Sequence, residues 1–324
     1  MKKTLCMHVV VIGSGIAGLL VAKKLGATLI SDRKEFVFLP RLPDAVTSQV
    51  QYTKKITHDP HIRQNAVSVD REKKIVYTEK KSVPYDVLVV AIGAKPHIPI
   101  AQADGVHTLY TQEDVRTMRS WKKKSVIIVG GGPTGVELAA ELSLTNSVRL
   151  IQGADTLVPF FAPNVQEYTK KTLERLGVEL VFHSFVQKVV QNQVTTKTQT
   201  FHADEVVWCG GVRANTLQGL PVGKNGHTVD AYLRVDESVF VIGDCADTLF
   251  PKTAQFANRM ALQTVANIRR MQKNVALKPF AHENKGYALR LGDTSVLQTP
   301  VGVITGNLAT LMRKGYYASQ LWSY

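Results

Sequence analysis

The chain has 324 residues, enough for two domains at the usual size of roughly 100–200 residues each. Its hydrophobic content of 44% and charged content of 20% can build a core, which excludes disordered and fibrous classes. Forty Lys and Arg against 26 Asp and Glu leave a formal charge of +14, so an anionic partner is expected: phosphate groups, nucleic acid or an anionic membrane face.

The basic residues come as doublets and triplets, among them Lys2-Lys3, Lys23-Lys24, Lys54-Lys55, Lys122-Lys123-Lys124 and Arg269-Arg270; any one of them can equally serve solubility. Three cysteines, Cys6, Cys209 and Cys245, lie far apart and form no C-x-x-C. Neither a disulfide framework nor a structural zinc is expected, no metal site is proposed, and a reducing setting fits. The start, Met1-Lys-Lys-Thr-Leu5, imitates a leader, but the apolar run behind it, Val9 to Ala22, is broken by glycines. That run is also shorter than the ~20 residues of a spanning helix, so no signal peptide and no transmembrane helix are expected.

Two segments resemble each other. Val9-Val-Val-Ile-Gly-Ser-Gly-Ile-Ala-Gly18 and Val126-Ile-Ile-Val-Gly-Gly-Gly-Pro-Thr-Gly135 each join a β-branched run to glycines and then to an Ala/Leu-rich stretch. This is the start of a buried parallel strand and its crossover helix. A second short strand is expected after each helix, at Thr28–Ser31 and Val148–Ile151. Between the copies lie Val67–Asp70, a charged hairpin-like stretch at 71–85, and an apolar strand at 86–92 ending in Gly93. After the second copy the pattern recurs at 203–211, followed by a last buried strand at 239–244 and a helix at 254–270. The tail divides into 280–291 and an amphipathic stretch, 308–322.

The expected fold class is therefore α/β, with two Rossmann-like dinucleotide-binding domains, the second inserted in the first, and a short C-terminal element. The boundaries fall at 1–112 plus 225–280 for the first domain, 113–224 for the second, and 281–324 for the C-terminal element.

In each glycine loop the first glycine makes the turn, the second lets a pyrophosphate approach the backbone, and the third lets helix and sheet close up. The acid expected for the ribose hydroxyls is Asp32, although Ser31 falls in its usual register; a solvated turn carboxylate is the plain alternative. The equivalent position in the second copy is Gln152, which lacks the charge that would repel a 2′-phosphate, so NADPH is admitted beside NADH. Gln152 hydrogen-bonding the ribose of NAD is an equal alternative. Asp244, at the end of a buried strand, suits a flavin ribityl hydroxyl or serves as a helix N-cap.

The run Gly130-Gly-Gly-Pro-Thr-Gly-Val-Glu-Leu-Ala-Ala-Glu-Leu142 resembles the nucleotide-binding motif of type II NADH dehydrogenases, within the flavoproteins of two dinucleotide-binding domains. Tyr85-Asp-Val-Leu-Val-Val-Ala-Ile-Gly-Ala94, Val206-Val-Trp-Cys-Gly-Gly-Val-Arg-Ala-Asn215, Val239-Phe-Val-Ile-Gly-Asp-Cys-Ala246 and Ala254-Gln-Phe-Ala257 extend the resemblance from residue 8 to about 317. It implies FAD in the first domain, NADH in the second and a membrane quinone as acceptor. The implied FAD contacts are Gly13, Ser14, Gly15, Ile16, Ala17, Gly18, Ser31, Asp32, Arg33, Val67, Ala91, Gly93, Gly243, Asp244, Ala254 and Gln255. The implied NAD(P)H contacts are Gly130, Gly132, Pro133, Thr134, Gly135, Gln152 and Gly211.

Glu137 matches the family glutamate between the nicotinamide and quinone sides of the flavin, and Gln255 falls at the flavin and the quinone headgroup. A helix-start carboxylate is the plain reading of Glu137. The sequence departs from the family after Ala257, where Asn258-Arg-Met-Ala261 replaces further glutamines and a glycine. No cysteine pair of a dithiol reductase is present in the first helix.

On the C-terminal stretch Leu308, Leu311, Met312 and Trp322 fall near one face and Arg313 and Lys314 on another, with Tyr316, Tyr317 and Trp322 suited to a headgroup region. An interfacial anchor and a docking or homodimer helix fit this pattern alike; charge and resemblance favour the anionic surface, on the cytoplasmic face. The rival readings are a soluble NAD(P)H-dependent reductase of a small electron carrier and a nucleic-acid-binding, nicotinamide-sensing flavoprotein. No helix-turn-helix, zinc finger or stacking platform supports the last, so no nucleic acid is expected.

Overall fold

The computed structural model describes residues 6–281 and 286–323, with side chains described to residue 320. The Lys2-Lys3 doublet, the leader-like start and the Trp322 side chain fall outside the described residues.

Five parallel strands form the first sheet, in the spatial order Val239–Val241, Val87–Val90, Val9–Ile12, Thr28–Ile30, His61–Ile62. The order is that of a mononucleotide-binding half, with the chain reversing direction across the sheet on either side of Val9–Ile12. Every residue of that central strand is buried, and the strand's period of two sends them to two cores. Val9 and Val11 pack with Leu19, Val21 and Ile268 on the helical face, formed by α1 (Ile16–Leu25) and α6 (Ala254–Gln272). Val10 and Ile12 pack with Val69, Val76 and Val83 of a three-stranded antiparallel meander, Ala66–Asp70, Ile75–Thr78 and Ser82–Pro84. The charged hairpin expected at 71–85 is the outer part of that meander.

The second sheet repeats the plan: Val106–His107, Glu205–Trp208, Ser125–Val129, Ser147–Ile151, Glu179–Val181, all parallel. Val126 and Ile128 face α4 (Pro133–Leu142) and α5 (Pro163–Arg175), whereas Ile127 and Val129 face a second meander, Val186–Val190, Gln193–Thr196 and Thr200–His202. Each meander thus sits between the third strand of its unit and the strand that pairs beside the central one. One strand departs from the repeat: Val106–His107 takes the edge position next to Glu205–Trp208, although it precedes the second glycine loop in the chain and lies before residue 113. Two antiparallel crossover strands, Ala94–Pro96 and Val212–Ala214, carry the chain into the second unit and back. The side chain of Asn215 ties the return, donating to the Ile92 carbonyl at 2.9 Å.

The C-terminal piece is an antiparallel sheet, Tyr287–Leu291, Thr294–Thr299 and Gly302–Thr305, covered by α7 (Gly306–Ser323). Leu289, Leu291 and Val296 enter the core of the second unit together with Leu42, Ala45 and Val46 of α2 (Leu42–Thr47), a helix of the first unit. The three segments therefore close around α4.

On α7 the inward face is Ala309, Arg313 and Tyr317, at 0%, 3% and 8% exposure. This corrects the sequence expectation, which put Arg313 with Lys314 on one face and Tyr317 at a headgroup region. Arg313 turns inward because buried carboxylates await it, and Tyr317 follows at i+4, edge-on to Phe38 with ring centroids 5.4 Å apart. Leu308, Leu311, Met312 and Tyr316 remain on the outward face, all exposed.

Candidate functional site: two glycine cradles and a buried charge cluster

The two glycine loops are built by the same close contacts. A Cβ on Gly13 would lie 2.3 Å from the Ala91 carbonyl oxygen, and one on Gly18 would lie 1.9 Å from that of Gly13. In the second loop a Cβ on Gly130 would meet the Cys209 backbone at 2.7 Å, and one on Gly135 would meet the Gly130 oxygen at 1.9 Å. The middle glycines differ: a Cβ on Gly15 or Gly132 would meet nothing within 4 Å. First and third glycines are thus required by the protein's own packing, and the second opens each loop to an outside group.

Those middle glycines are the N-cap residues of α1 and α4, and neither helix has a side-chain cap or an acid in its first turn. The first-turn N–H groups are left for an anion. By contrast α3 (Gln112–Arg119), which faces no loop of this kind, carries a full capping box from Thr111 and Asp114. Both cradles fit a dinucleotide pyrophosphate.

Around the first cradle, Ile16 opens α1 and Ala17 is buried in its first turn. The Ser14 and Ser31 hydroxyls bond at 2.8 Å, both buried, and the Arg33 N–H donates to Ser31 Oγ at 3.3 Å. Asp32 and Arg33 follow as exposed residues. Gly93 lies at the end of strand Val87–Val90, with its carbonyl bound by the Asn215 N–H. Val67 is half exposed on the meander.

Gly243 and Asp244 form a 3-10 turn, while the N-cap of α6 is Thr253, just before Ala254. Asp244 is therefore not the helix cap. Its carboxyl is pushed above the usual carboxylate range by burial, with the Lys252 cation pulling the other way, and it has no side-chain hydrogen bond among the described residues. A partly buried carboxyl of that kind suits a ligand hydroxyl.

Around the second cradle, Pro133 and Thr134 are the exposed first residues of α4, and Gly211 is exposed at the crossover. Gln152 follows strand Ser147–Ile151 as Ser31 follows Thr28–Ile30. Both ends of its amide are engaged within the loop, Oε1 accepting from Gly131 N–H and Nε2 donating to the Thr156 carbonyl, each at 3.0 Å.

Glu137 and Gln255 meet the same segment, strand Tyr287–Leu291 and Gly286 before it. Gln255 Nε2 donates to the Gly286 carbonyl at 3.2 Å, and Glu137 Oε1 accepts from the Arg290 N–H at 2.8 Å. Glu137 does not bond the start of its own helix. It joins a cluster that the sequence reading had not assembled. Arg313 from α7 makes a two-pronged pair with Asp44 of α2, both contacts at 2.9 Å, and reaches Glu137 Oε1 at 3.3 Å. Arg290 lies 3.6 Å from Asp44 and 3.0 Å from Glu141 Oε1. The Tyr317 ring covers the Arg313 guanidinium, 4.4 Å from the ring centroid.

Burial drives the carboxyls of Glu137 and Glu141 up, each to about 7, while Arg313 and Arg290 oppose the rise and Asp44 adds to it. Sequence signals for the missed members existed. Glu141 lies one helical turn beyond Glu137, and Arg313 shares a stripe with Ala309 and Tyr317.

The cysteines are free, with Cys209 and Cys245 pushed up to about 12 and about 11 by burial, and no metal-binding cluster occurs among the described residues. Such thiols are poor nucleophiles, and Cys209 serves the packing of the second glycine loop instead.

Paired parallel sheets, each ending in an open glycine cradle, define the class of oxidoreductases with two dinucleotide-binding domains. The chain matches the pyridine nucleotide-disulphide oxidoreductase family over residues 7–266 and belongs to it. It is similar to the type II NADH:quinone oxidoreductases of Haemophilus influenzae, 24% identical over 95% of this chain and 90% of that protein, and of Staphylococcus epidermidis, 25% identical over 94% and 93%. Its fold is that of Plasmodium falciparum NDH2, solved in complex with NADH, with a TM-score of 0.85 at 19% identity over 98% of this chain and 95% of that one.

Proposed function

We propose that the protein is an NAD(P)H:quinone oxidoreductase with FAD in the first cradle and NADH, or NADPH, in the second. The observation that carries this reading is that Glu137, on the helix that opens at the second cradle, and Gln255, in the first turn of α6, bond the same C-terminal segment at Arg290 and Gly286. FAD, when bound, supplies the chemistry: it accepts a hydride and passes two electrons on. The chain's own residues bind, orient and handle a proton. Gly13, Ser14, Gly15, Ile16, Ala17 and Gly18 receive the FAD pyrophosphate. Ser31, Asp32, Arg33 and Val67 border its adenosine end, and Ala91, Gly93, Gly243, Asp244 and Ala254 border the rest. Gly130, Gly132, Pro133, Thr134, Gly135, Gln152 and Gly211 receive the nicotinamide dinucleotide.

No acid stands at Gln152 to repel a 2′-phosphate. Gln255 orients the quinone headgroup, and Glu137 holds the proton that the quinone takes up.

The protein works at the cytoplasmic face of a membrane, as a peripheral protein. Supporting this are the charge of +14 and the exposed stripe of Leu308, Leu311, Met312 and Tyr316 on α7, with Lys314 also exposed. No helix among the described residues is long and apolar enough to cross a membrane. The same stripe could instead join two copies as a homodimer. Leu308→Glu with Leu311→Glu separates these: loss of co-sedimentation with anionic vesicles at unchanged mass supports the membrane, and a fall in mass supports the dimer.

The function is tested by following NADH oxidation by the flavin-loaded protein with a short-chain quinone, with and without anionic liposomes. Flavin absorbance that bleaches with NADH and returns with quinone, faster on liposomes, is expected. Bleaching that only a small carrier protein reverses would move the reading to a carrier reductase.

A further inference from the structure

Five ionisable side chains from four elements meet at the centre of the molecule: Asp44 of α2, Glu137 and Glu141 of α4, Arg290 of strand Tyr287–Leu291, and Arg313 of α7. Four of the side chains are nearly closed to water, Glu141 at 0% exposure, Arg313 at 2%, Asp44 at 4% and Glu137 at 8%, and Arg290, at 17%, is the one that reaches toward solvent. Fully ionised, three carboxylates against two guanidiniums leave one uncompensated negative charge in a buried site, which is costly. One bound proton makes the cluster neutral.

The geometry indicates where that proton resides. Asp44 is fully engaged by the Arg313 fork, and Glu137 Oε1 accepts from the Arg290 N–H and from Arg313. Glu141 is less well served. Thr47 Oγ1 donates to its Oε2, but its Oε1 is a buried oxygen with no hydrogen bond, since the nearby Arg290 Nε–H is directed to the Gly292 carbonyl at 3.0 Å. A carboxylate short of donors at zero exposure is the member held most readily as the acid. Arg290 links it to Glu137, donating its backbone N–H to Glu137 and holding its guanidinium charge 3.0 Å from Glu141 Oε1 without a hydrogen bond. The other groups facing the cluster are Ser48, 3.5 Å from Arg290 Nη2, Tyr317 over Arg313, and Arg119. Arg119 is a partly exposed cation whose bonds go to the Ala45 and Ser48 carbonyls and not to the three carboxyls, so it stays outside the charge count.

Resting on the proposed quinone reductase activity, we infer that Glu141 is a positioning and proton-storing residue, which shares one exchangeable proton with Glu137 inside the Asp44–Arg290–Arg313 clamp. The stoichiometry of the reaction calls for one such proton. NADH, one proton and a quinone give NAD+ and the quinol. The hydride carries two electrons and one of the quinol's protons, and the second is taken up from outside the two substrates. Glu137 passes it on, the Glu137–Glu141 pair becomes doubly ionised, and solvent then reprotonates it. The rise of both carboxyls to about 7 agrees with a pair that titrates as a unit near neutrality.

The test has two independent readouts on the flavin-loaded protein. The pH profile of quinone reduction should show a limb near neutrality that Glu141→Gln flattens and Glu141→Asp retains; a Glu141→Gln profile that parallels wild type at a uniformly lower rate overturns the inference. Infrared titration of the wild-type protein should show a protonated-carboxyl band that is lost near neutral pH, and its absence overturns the inference even where Glu141→Gln fails to fold. Wild-type protein that keeps the band yet never turns over with quinones refutes the quinone reading, and with it the delivery step, while the shared proton stands.

Discussion

The glycines of the two loops divide into those the fold needs and those a ligand needs. Gly18→Ala would drive a methyl group into the Gly13 carbonyl, and Gly15→Ala would meet nothing. Gly18→Ala is therefore expected to cost at least the roughly 1–3 kcal/mol of an overpacked core, read as a lower midpoint of thermal unfolding in flavin-free protein. Gly15→Ala should leave that midpoint within a degree or so and yet weaken flavin retention at least tenfold, read by absorbance after gel filtration. Equal loss of stability in both variants would contradict the division. This much was legible in the sequence, because a G-x-G-x-x-G loop between a β-branched run and a helix has one geometry. The ribose position was less legible. Whether Ser31 or Asp32 turns toward the loop depends on one residue of register, and Ser31 is the residue found bonded to Ser14.

Among the elements, the amphipathic stretch at 308–322 forms a helix, α7, whose inward face differs from the one its sequence pattern suggests. Gly315 does not interrupt it, since the helix is held from one side by strand Thr294–Thr299, where Thr310 Oγ1 donates to Ser295 Oγ at 3.1 Å. An arginine beside a lysine reads as solvated, and only the distant Asp44 and Glu137 make burial of Arg313 favourable. Arg313→Met should be destabilising by about 3–5 kcal/mol, the usual result of leaving a buried carboxylate without its partner. The double variant Arg313→Met with Asp44→Leu should recover much of that loss, because the unpaired charge is gone. Urea unfolding of the two variants decides it; no recovery in the double variant would mean that packing, not charge, holds α7. The meander at 186–202 was likewise missed. Its alternation is masked by threonines and glutamines, and only Val189 and Val194 reach the core.

Over the whole molecule, the charge cluster links stability to pH. Glu137 and Glu141 have folded-state values raised above the unfolded carboxylate range, so the folded protein binds more protons than the unfolded chain between about 4.5 and about 7. Their contribution is present below that window and is lost as pH rises through it. The unfolding midpoint should therefore fall between pH 5 and 8 more steeply in wild type than in Glu141→Gln, measured by calorimetry in matched buffers. Parallel slopes would mean the pair does not titrate there. Because the cluster joins α2, α4, the C-terminal sheet and α7, the same titration should loosen the C-terminal piece first, read as a lower protection of the Leu289 and Leu291 amides at the higher pH after correction for the intrinsic, base-catalysed exchange rate.

By itself the sequence determined the inner strands of the two parallel sheets, the helix after each glycine loop, the helix beginning at Ala254 and both loops. These depend on local patterns: apolar runs, glycine spacing and helical period. Strands His61–Ile62, Val106–His107 and Glu179–Val181 and helix α5 were not determined in this way. It also determined that Glu137 and Gln255 were worth watching. Only the tertiary structure decided what those residues meet. Asp44, Glu141, Arg290 and Arg313 are separated by up to 269 positions, and no local period records that their charges share one buried site. A surface ion pair adds little and leaves the fold free to vary, whereas charges taken out of water must find partners. That requirement, satisfied across three segments at once, turns Arg313 inward and sets the outward face of α7.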